Sequence, residues 1–176
     1  MKRSPWAAAV LSLFVTTTFS AQDAPRIEVA ISYSRFQVLQ GYTIGMDGGS
    51  VSGAWNFNSW LGLAGDFGAY HGYPSQSLTG ETFTLGPRVT YRRFPRFEPF
   101  APALVGGSHF NASSGGVTGG GLPFAFAGGF GADITPHRDG WFAFRLADDF
   151  FVTRSGGANT LSNRLSAGIV FRFGRK

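Results

Sequence analysis

The chain has 176 residues, of which 43% are hydrophobic and 16% aromatic, a formal net charge of +5 and no cysteine. That length suits one domain; the 26 Gly and 9 Pro weigh against long helices, and the lack of cysteine excludes a disulfide framework and thiol chemistry. With 19 Phe but a mean hydropathy of only +0.02, the chain must sort its residues by alternation rather than in blocks.

Lys2 and Arg3 precede the apolar run WAAAVLSLFV, after which small and polar residues follow. This is the order of a secretory signal, and the run is too short to span a bilayer as a helix. Residues 1–21 are assigned as the signal and 22–176 as the mature domain; Thr18 and Ser20 favour cleavage after Ser20 over cleavage after Ala21. Loss of Lys2 and Arg3, with no acid among residues 1–21, takes the charge from +5 to +3, too mild to indicate nucleic-acid binding.

The mature part reads as eight strands with period two. In segment 26–34, Ile27, Val29, Ile31 and Tyr33 alternate with Arg26, Glu28, Ala30 and Ser32. In 49–57, Val51, Gly53, Trp55 and Phe57 alternate with Ser52, Ala54 and Asn56; in 60–70, Leu61, Leu63 and Phe67 oppose Gly62, Ala64, Asp66 and Gly68. In 82–92, Phe83, Leu85, Val89 and Tyr91 oppose Thr84, Gly86, Arg88 and Thr90, whereas 97–110 is interrupted by Pro99 and Pro102. In 122–134, Phe124, Phe126 and Phe130 oppose Ala125, Ala127, Gly129, Gly131 and Asp133; in 141–152, Phe142, Phe144, Leu146 and Phe150 oppose Ala143, Arg145, Ala147 and Asp149. The last segment, 160–173, sets Leu165, Ala167, Ile169, Phe171 and Phe173 against Arg164, Ser166, Gly168, Val170 and Arg172.

One face is therefore large and apolar, and the other is small and polar with a charge on most strands. A soluble barrel or sandwich turns its large apolar side chains inward, and its surface is rich in Lys and Glu. Small residues with scattered charges suit a cramped interior, and a Phe-rich face suits lipid. Alternation in segments of about ten residues is the pattern of a transmembrane β-barrel, which must close because hydrocarbon cannot satisfy an open edge. The expected fold is an all-β, eight-stranded, antiparallel up-and-down transmembrane barrel. The connections are expected to alternate in length: long at 35–48, 71–81, 111–121 and 153–159, short at 58–59, 93–96 and 135–140. That rhythm places both termini on the periplasmic side.

At the C-terminus, Ser166, Gly168, Phe171 and Phe173 fill the spacing polar, any, Gly, two of any, hydrophobic, any, aromatic. With this stretch the chain resembles the small outer-membrane β-barrel proteins of Gram-negative cell envelopes, of the outer-membrane protein A-like (OmpA-like) type, over all of 22–176. The resemblance implies that the barrel-assembly machinery reads the last strand. Family members often end on the aromatic, whereas here Gly174, Arg175 and Lys176 follow.

By parity Glu28, Asp66, Asp133 and Asp149 face the lumen together with Arg88, Arg145, Arg164 and Arg172. An eight-stranded barrel is just wide enough for side chains to fill it, so these charges should pair as a plug rather than line an ion path. His71, His109 and His137 are dispersed, which argues against a metal site or a hydrolase centre; the glycine-rich run 113–121 lacks the Lys-Ser/Thr of a phosphate loop and reads as an external loop. Asn111–Ser113 matches a glycosylation sequon, and Trp55, Trp60, Tyr91 and Trp141 suit an interface girdle. No catalytic, cofactor or metal residue is assigned. The expected partners are outer-membrane lipid, the assembly machinery during insertion and a surface partner at the loops, and not nucleic acid. The expectation is a non-enzymatic barrel with a structural or surface-interaction role. The alternatives are a lipid A deacylase or acyltransferase type of enzyme, and a soluble lipocalin-like binder.

Overall fold

The computed structural model describes residues 24–40, 42–72, 77–113, 123–137, 140–155 and 157–174; the assigned signal and the core of the glycine-rich run lie outside these. Eight strands follow in chain order: β1 Ile27–Gln40, β2 Tyr42–Asn56, β3 Leu61–Gly72, β4 Ser77–Thr90, β5 Phe97–Ser113, β6 Phe124–Ile134, β7 Phe142–Ser155 and β8 Ala158–Phe173. Each pairs antiparallel with its neighbours, and β1 pairs with β8 from Ile27↔Phe173 to Val38↔Ser162, so the sheet is a closed barrel in sequence order. Closure leaves no edge to be satisfied by solvent.

The register fixes the barrel's shape. The outward row that starts at Phe144 runs through Ile169, Ile31, Val51, Phe67, Phe83, Gly107 and Phe124 and returns to β7 at Arg154, ten residues further along (154 against 144). A ten-residue shear over eight strands corresponds to a strand tilt of roughly 40°.

Period-two alternation sorts the two surfaces. Ile31, Val51, Phe67, Leu85, Phe130 and Leu165 stand outward, each at least half exposed except Leu85's neighbours Phe83 and Val89 at 46%. A surface this apolar is built for hydrocarbon rather than water. An aromatic girdle marks the end that carries the termini and the connections 57–60, 91–96 and 135–141: Trp55, Trp60, Tyr91 and Trp141 are all exposed there, beside Phe57, Phe94, Phe97 and Phe173.

The structure corrects the expected loop rhythm. Residues 35–40 and 42–48 are not loop but the ends of β1 and β2, paired as far as Gln40↔Tyr42. Likewise β3 runs to Gly72, β4 begins at Ser77, β5 reaches Ser113, and β7 and β8 pair up to Ser155↔Ala158. The ladder continues beyond the apolar belt because backbone pairing needs no apolar face. Toward the end remote from the termini the outward positions turn polar, with Arg35, Asp47, Glu81 and Arg154, and the alternation that marks a strand by hydrophobicity fades. The two ends still differ, but by strands that overshoot the belt at the end remote from the termini rather than by loop length.

The prolines of β5 do not end the strand either. The β4–β5 ladder skips Gly86 and Pro87 against Ala103 and Leu104, and the β5–β6 ladder skips Ala101 and Pro102 against Gly129 and Phe130, and pairing resumes on both sides. A residue without an N–H removes ladder bonds locally, and flanking strands in a closed barrel hold the line.

Depth along the belt predicts a graded cost. Val51→Arg and Leu85→Arg, near mid-belt, should each lower stability in urea titrations of the lipid-reconstituted barrel by roughly 2–4 kcal/mol, while Phe124→Arg, near the rim, should cost under about 1 kcal/mol.

Candidate functional site

The lumen is the candidate site, and it is built in three layers. At the terminus end lies a dense ionic group. Glu28, on β1, is 2% exposed and receives Arg88 from β4, Arg92 just past β4 (2.6 Å) and Arg145 from β7 (3.5 Å), while Asn56 Nδ2 donates to it at 3.0 Å. Arg145 also grips Asp133 with two parallel bonds of 2.8 Å, from Nε and from Nη2, and its Nη1 reaches Ser52 at 3.2 Å. Glu98 bridges Arg92 at 3.0 Å and Arg172 at 2.9 Å, and Arg172 further meets Thr135 at 2.9 Å and Asp133 at 3.6 Å. The ring of Phe100 lies under two guanidiniums, 5.3 Å from that of Arg88 and 4.6 Å from that of Arg145, a cation–π contact that is strengthened where water is excluded.

The second layer centres on Arg164 of β8. Its Nη1 donates to Asp66 at 2.5 Å and to the Tyr70 hydroxyl at 3.1 Å, and its Nη2 donates to Asp149 at 2.7 Å. Between this group and the first is a cavity of about 50 Å³, lined by Ser32, Ser50, Ser52 and Ser166 as well as by Arg88, Arg145, Asp66 and Asp149. It has the size and polarity to take a few water molecules.

The third layer caps the lumen at the opposite end with apolar side chains. Phe36 packs at ring-centroid distances of 4.9 Å on Tyr70, 5.5 Å on Phe110 and 5.4 Å on Phe151, with Met46 completing the cluster.

All eight charges expected in the lumen point inward. They fall into two groups rather than one, with Arg145 paired to Asp133 and Glu28, and Asp149 paired to Arg164. Two partners escaped the sequence: Arg92, hidden at the start of the basic turn, and Glu98, on the strand its prolines obscure. Extending the inward parity of Arg88 and Thr90 by one step, and that of Phe100 back by one, would have found both. With them, the five inward arginines (88, 92, 145, 164 and 172) match five carboxylates (28, 66, 98, 133 and 149) among the described residues. The interior is also less uniformly small than expected: Phe36, Met46, Tyr70, Phe100, Leu104 and Phe151 are buried in it.

The histidines do not converge on the lumen. His71 and His109 sit on the outward side of β3 and β5 near the overshooting end, and His137 is exposed at the opposite end. Among the described residues no group of three or more His, Asp or Glu is arranged to hold a metal ion. Asn111–Ser113 forms the last rungs of β5's ladder, opposite Thr79 to Ser77, and most of the glycine-rich run lies outside the described residues.

The terminal-strand residues have positions of their own. Ser166 and Gly168 face inward, Phe171 and Phe173 outward. Gly168 stands opposite both Ser32 and Arg145, and a Cβ there would lie 2.2 Å from the Ile31 carbonyl oxygen. Any larger residue would push β1 and β8 apart at the seam that closes the barrel.

Neither a family model nor a curated protein sequence matches this chain. Solved structures do. Neisserial surface protein A superposes with a TM-score of 0.73 at 14% identity, covering 86% of this chain and 100% of that one. Ail, the attachment invasion locus protein of Yersinia pestis, gives 0.58 at 21% identity over 84% and 99%, and the outer membrane protein OprG from Pseudomonas aeruginosa gives 0.58 at 11% over 88% and 99%. The fold is that of the small bacterial outer-membrane barrels. In this outer-membrane-barrel fold the outward belt and the inward charges each have a direct physical sense: lipid outside, paired charges within.

The ionic layer makes a sharp prediction. Arg145→Ala leaves Asp133 without its two-pronged partner and should cost about 3–5 kcal/mol in urea unfolding, as for other broken buried pairs. Replacing Arg35, whose pair with Asp47 spans 3.7 Å between half-exposed side chains, should cost under about 1 kcal/mol in the same assay.

Proposed function

We propose that this chain is an integral outer-membrane β-barrel protein, inserted with both termini on the periplasmic side, whose role is structural or one of surface interaction. A single observation carries the proposal: a closed barrel whose outward face is predominantly apolar while its lumen is occupied by two groups of paired charges and an apolar cap, with only a small cavity between the charged groups. An interior so occupied supports a solid post in the membrane, with contacts made at the overshooting end. The orientation draws support from the asymmetry of the two ends. The terminus end stops at the aromatic girdle, and the other end carries paired strands and polar side chains past the belt, as an outward-facing surface would. The dispersal of His71, His109 and His137 favours this reading over a lipid-modifying enzyme, and the outward placement of the large side chains favours it over a soluble lipocalin-like binder.

Outer-membrane lipid is the proposed solvent of the belt, and the barrel-assembly machinery the proposed partner during insertion, through Ser166, Gly168, Phe171 and Phe173. Fractionation tests the location: tagged protein should sediment with the outer membrane and run as a heat-modifiable band on a gel, and recovery in the soluble periplasm would overturn the proposal. A pulse-label experiment tests the terminal strand. Phe173→Ala should slow the appearance of the folded band while the barrel that does form stays heat-modifiable, and deletion of the residues after Phe173 should leave that rate unchanged or raise it. Assembly of Phe173→Ala at the wild-type rate would reduce Phe173 to an ordinary lipid-facing residue.

A further inference from the structure

The apolar belt is broken at one place. The outward positions of β7 are Phe142, Phe144, Leu146, Asp148, Phe150, Val152 and Arg154, so Asp148 stands in mid-belt with apolar neighbours above and below. On β8, the outward Asn163 lies between the exposed Leu161 and Leu165. Asn163 Nδ2 donates to Asp148 Oδ1, both side chains are half buried, and no ion pair joins Asp148 to a cation among the described residues. A carboxylate facing hydrocarbon is expensive, and ionisable groups at that depth mark functional contacts.

A cation stands nearby on the same row. Asp148 is directly opposite Leu165, and Leu165 is directly opposite Arg35. Asp148 and Arg35 therefore flank Leu165, one strand to either side. With the strands tilted by roughly 40°, Arg35 stands about 6 Å higher along the barrel axis, a step its long stem covers by turning down toward the belt. Its side chain is 55% exposed and is held loosely by Asp47 at 3.7 Å.

We propose that the β7–β8–β1 face is a homodimer interface, in which a two-fold axis parallel to the barrel axis passes beside Leu165 and sets Asp148 of each copy against Arg35 of the other. A two-fold interface must be self-complementary, with residue i meeting j and j meeting i. A carboxylate and a guanidinium placed symmetrically about one apolar residue meet that condition. Leu165, Leu161 and the small Ala167 form the apolar centre, and Ala167 lets the two walls approach. In the low dielectric of the bilayer the charge-assisted contact is strong, and it supplies Asp148 with the counter-ion its own barrel does not give it. The proposal rests on the outer-membrane-barrel reading.

The chain has no cysteine, which makes the test clean. Leu165→Cys places a thiol beside the axis, and Leu85→Cys places one on β4, across the barrel. After oxidation in native outer membranes, Leu165→Cys should give a covalent dimer of twice the chain mass and Leu85→Cys should remain monomeric. Adding Asp148→Arg to Leu165→Cys should lower the crosslinked fraction by roughly tenfold or more, and adding Arg35→Asp to that variant should restore it. Asp148→Asn, which keeps the shape, should also lower the fraction and serves if Asp148→Arg does not insert. Heat-modifiability of each variant shows separately that the barrel stands. A heat-modifiable Leu165→Cys barrel that stays monomeric, an adduct of another mass, a dimer indifferent to Asp148→Asn, or a charge swap that fails to restore crosslinking would each overturn the interface. Absence of a heat-modifiable wild-type barrel would instead overturn the membrane reading beneath it.

Discussion

Glu28 ties the interior together. Its carboxylate, almost fully buried, gathers Arg88, Arg92 and Arg145 from positions 60, 64 and 117 residues away, and Asn56 from the neighbouring strand. A charge in so narrow a space cannot be left unpaired, and the inward arginines of three strands or their ends are satisfied only when the strands hold their register. A slip of one residue would turn Glu28 to the lipid and Ile27 to the lumen. The ionic layer thus acts as a register lock as well as a filler, and the fold of the whole barrel depends on it.

The layers above follow from the same constraint of width. Arg164 repeats the logic on a smaller scale with Asp66 and Asp149, and Phe36, Tyr70, Phe110 and Phe151 close the top where no charge is available to pair. The first group carries one arginine more than carboxylates and the second one carboxylate more than arginines, so the interior is neutral as a whole but polarised across the small cavity between the groups. Seen from outside, the belt obeys the opposite rule, and Asp148 is conspicuous because it breaks it. The same strand carries Asp149, one residue on, buried against Arg164. Adjacent acids on one strand thus meet opposite environments, and only the inner one finds its cation within the same barrel.

Much of this was legible in the residues themselves. Alternation in segments such as 26–34 and 160–173 specifies strands, and the size difference between the two faces specifies which faces lipid. The eight lumen charges follow from parity. The strand ends were not legible: beyond Tyr33 and before Gly49 the outward positions are Arg35, Gln37 and Asp47, whose polarity says loop although the backbone remains paired. Arg92 and Glu98 were hidden by a basic turn and by Pro99. Asp148 is masked in the sequence by Asp149 beside it, which satisfies the inward pattern.

The sequence alone determined the strand count, the inward or outward sense of nearly every residue and the class of barrel, because period-two alternation is a local property and its two faces differ in chemistry. Tertiary structure alone decided the shear, and with it which charges meet. Arg145 lies four residues from Asp149 in sequence, yet it pairs with Asp133, its register partner on the adjacent β6, and with Glu28, two strands away on β1, because partners in the lumen come from other strands and not from along the same one. It also decided that Asp148, Leu165 and Arg35 share one outward row, since that row is set by the seam between the first strand and the last, which no local stretch of sequence contains.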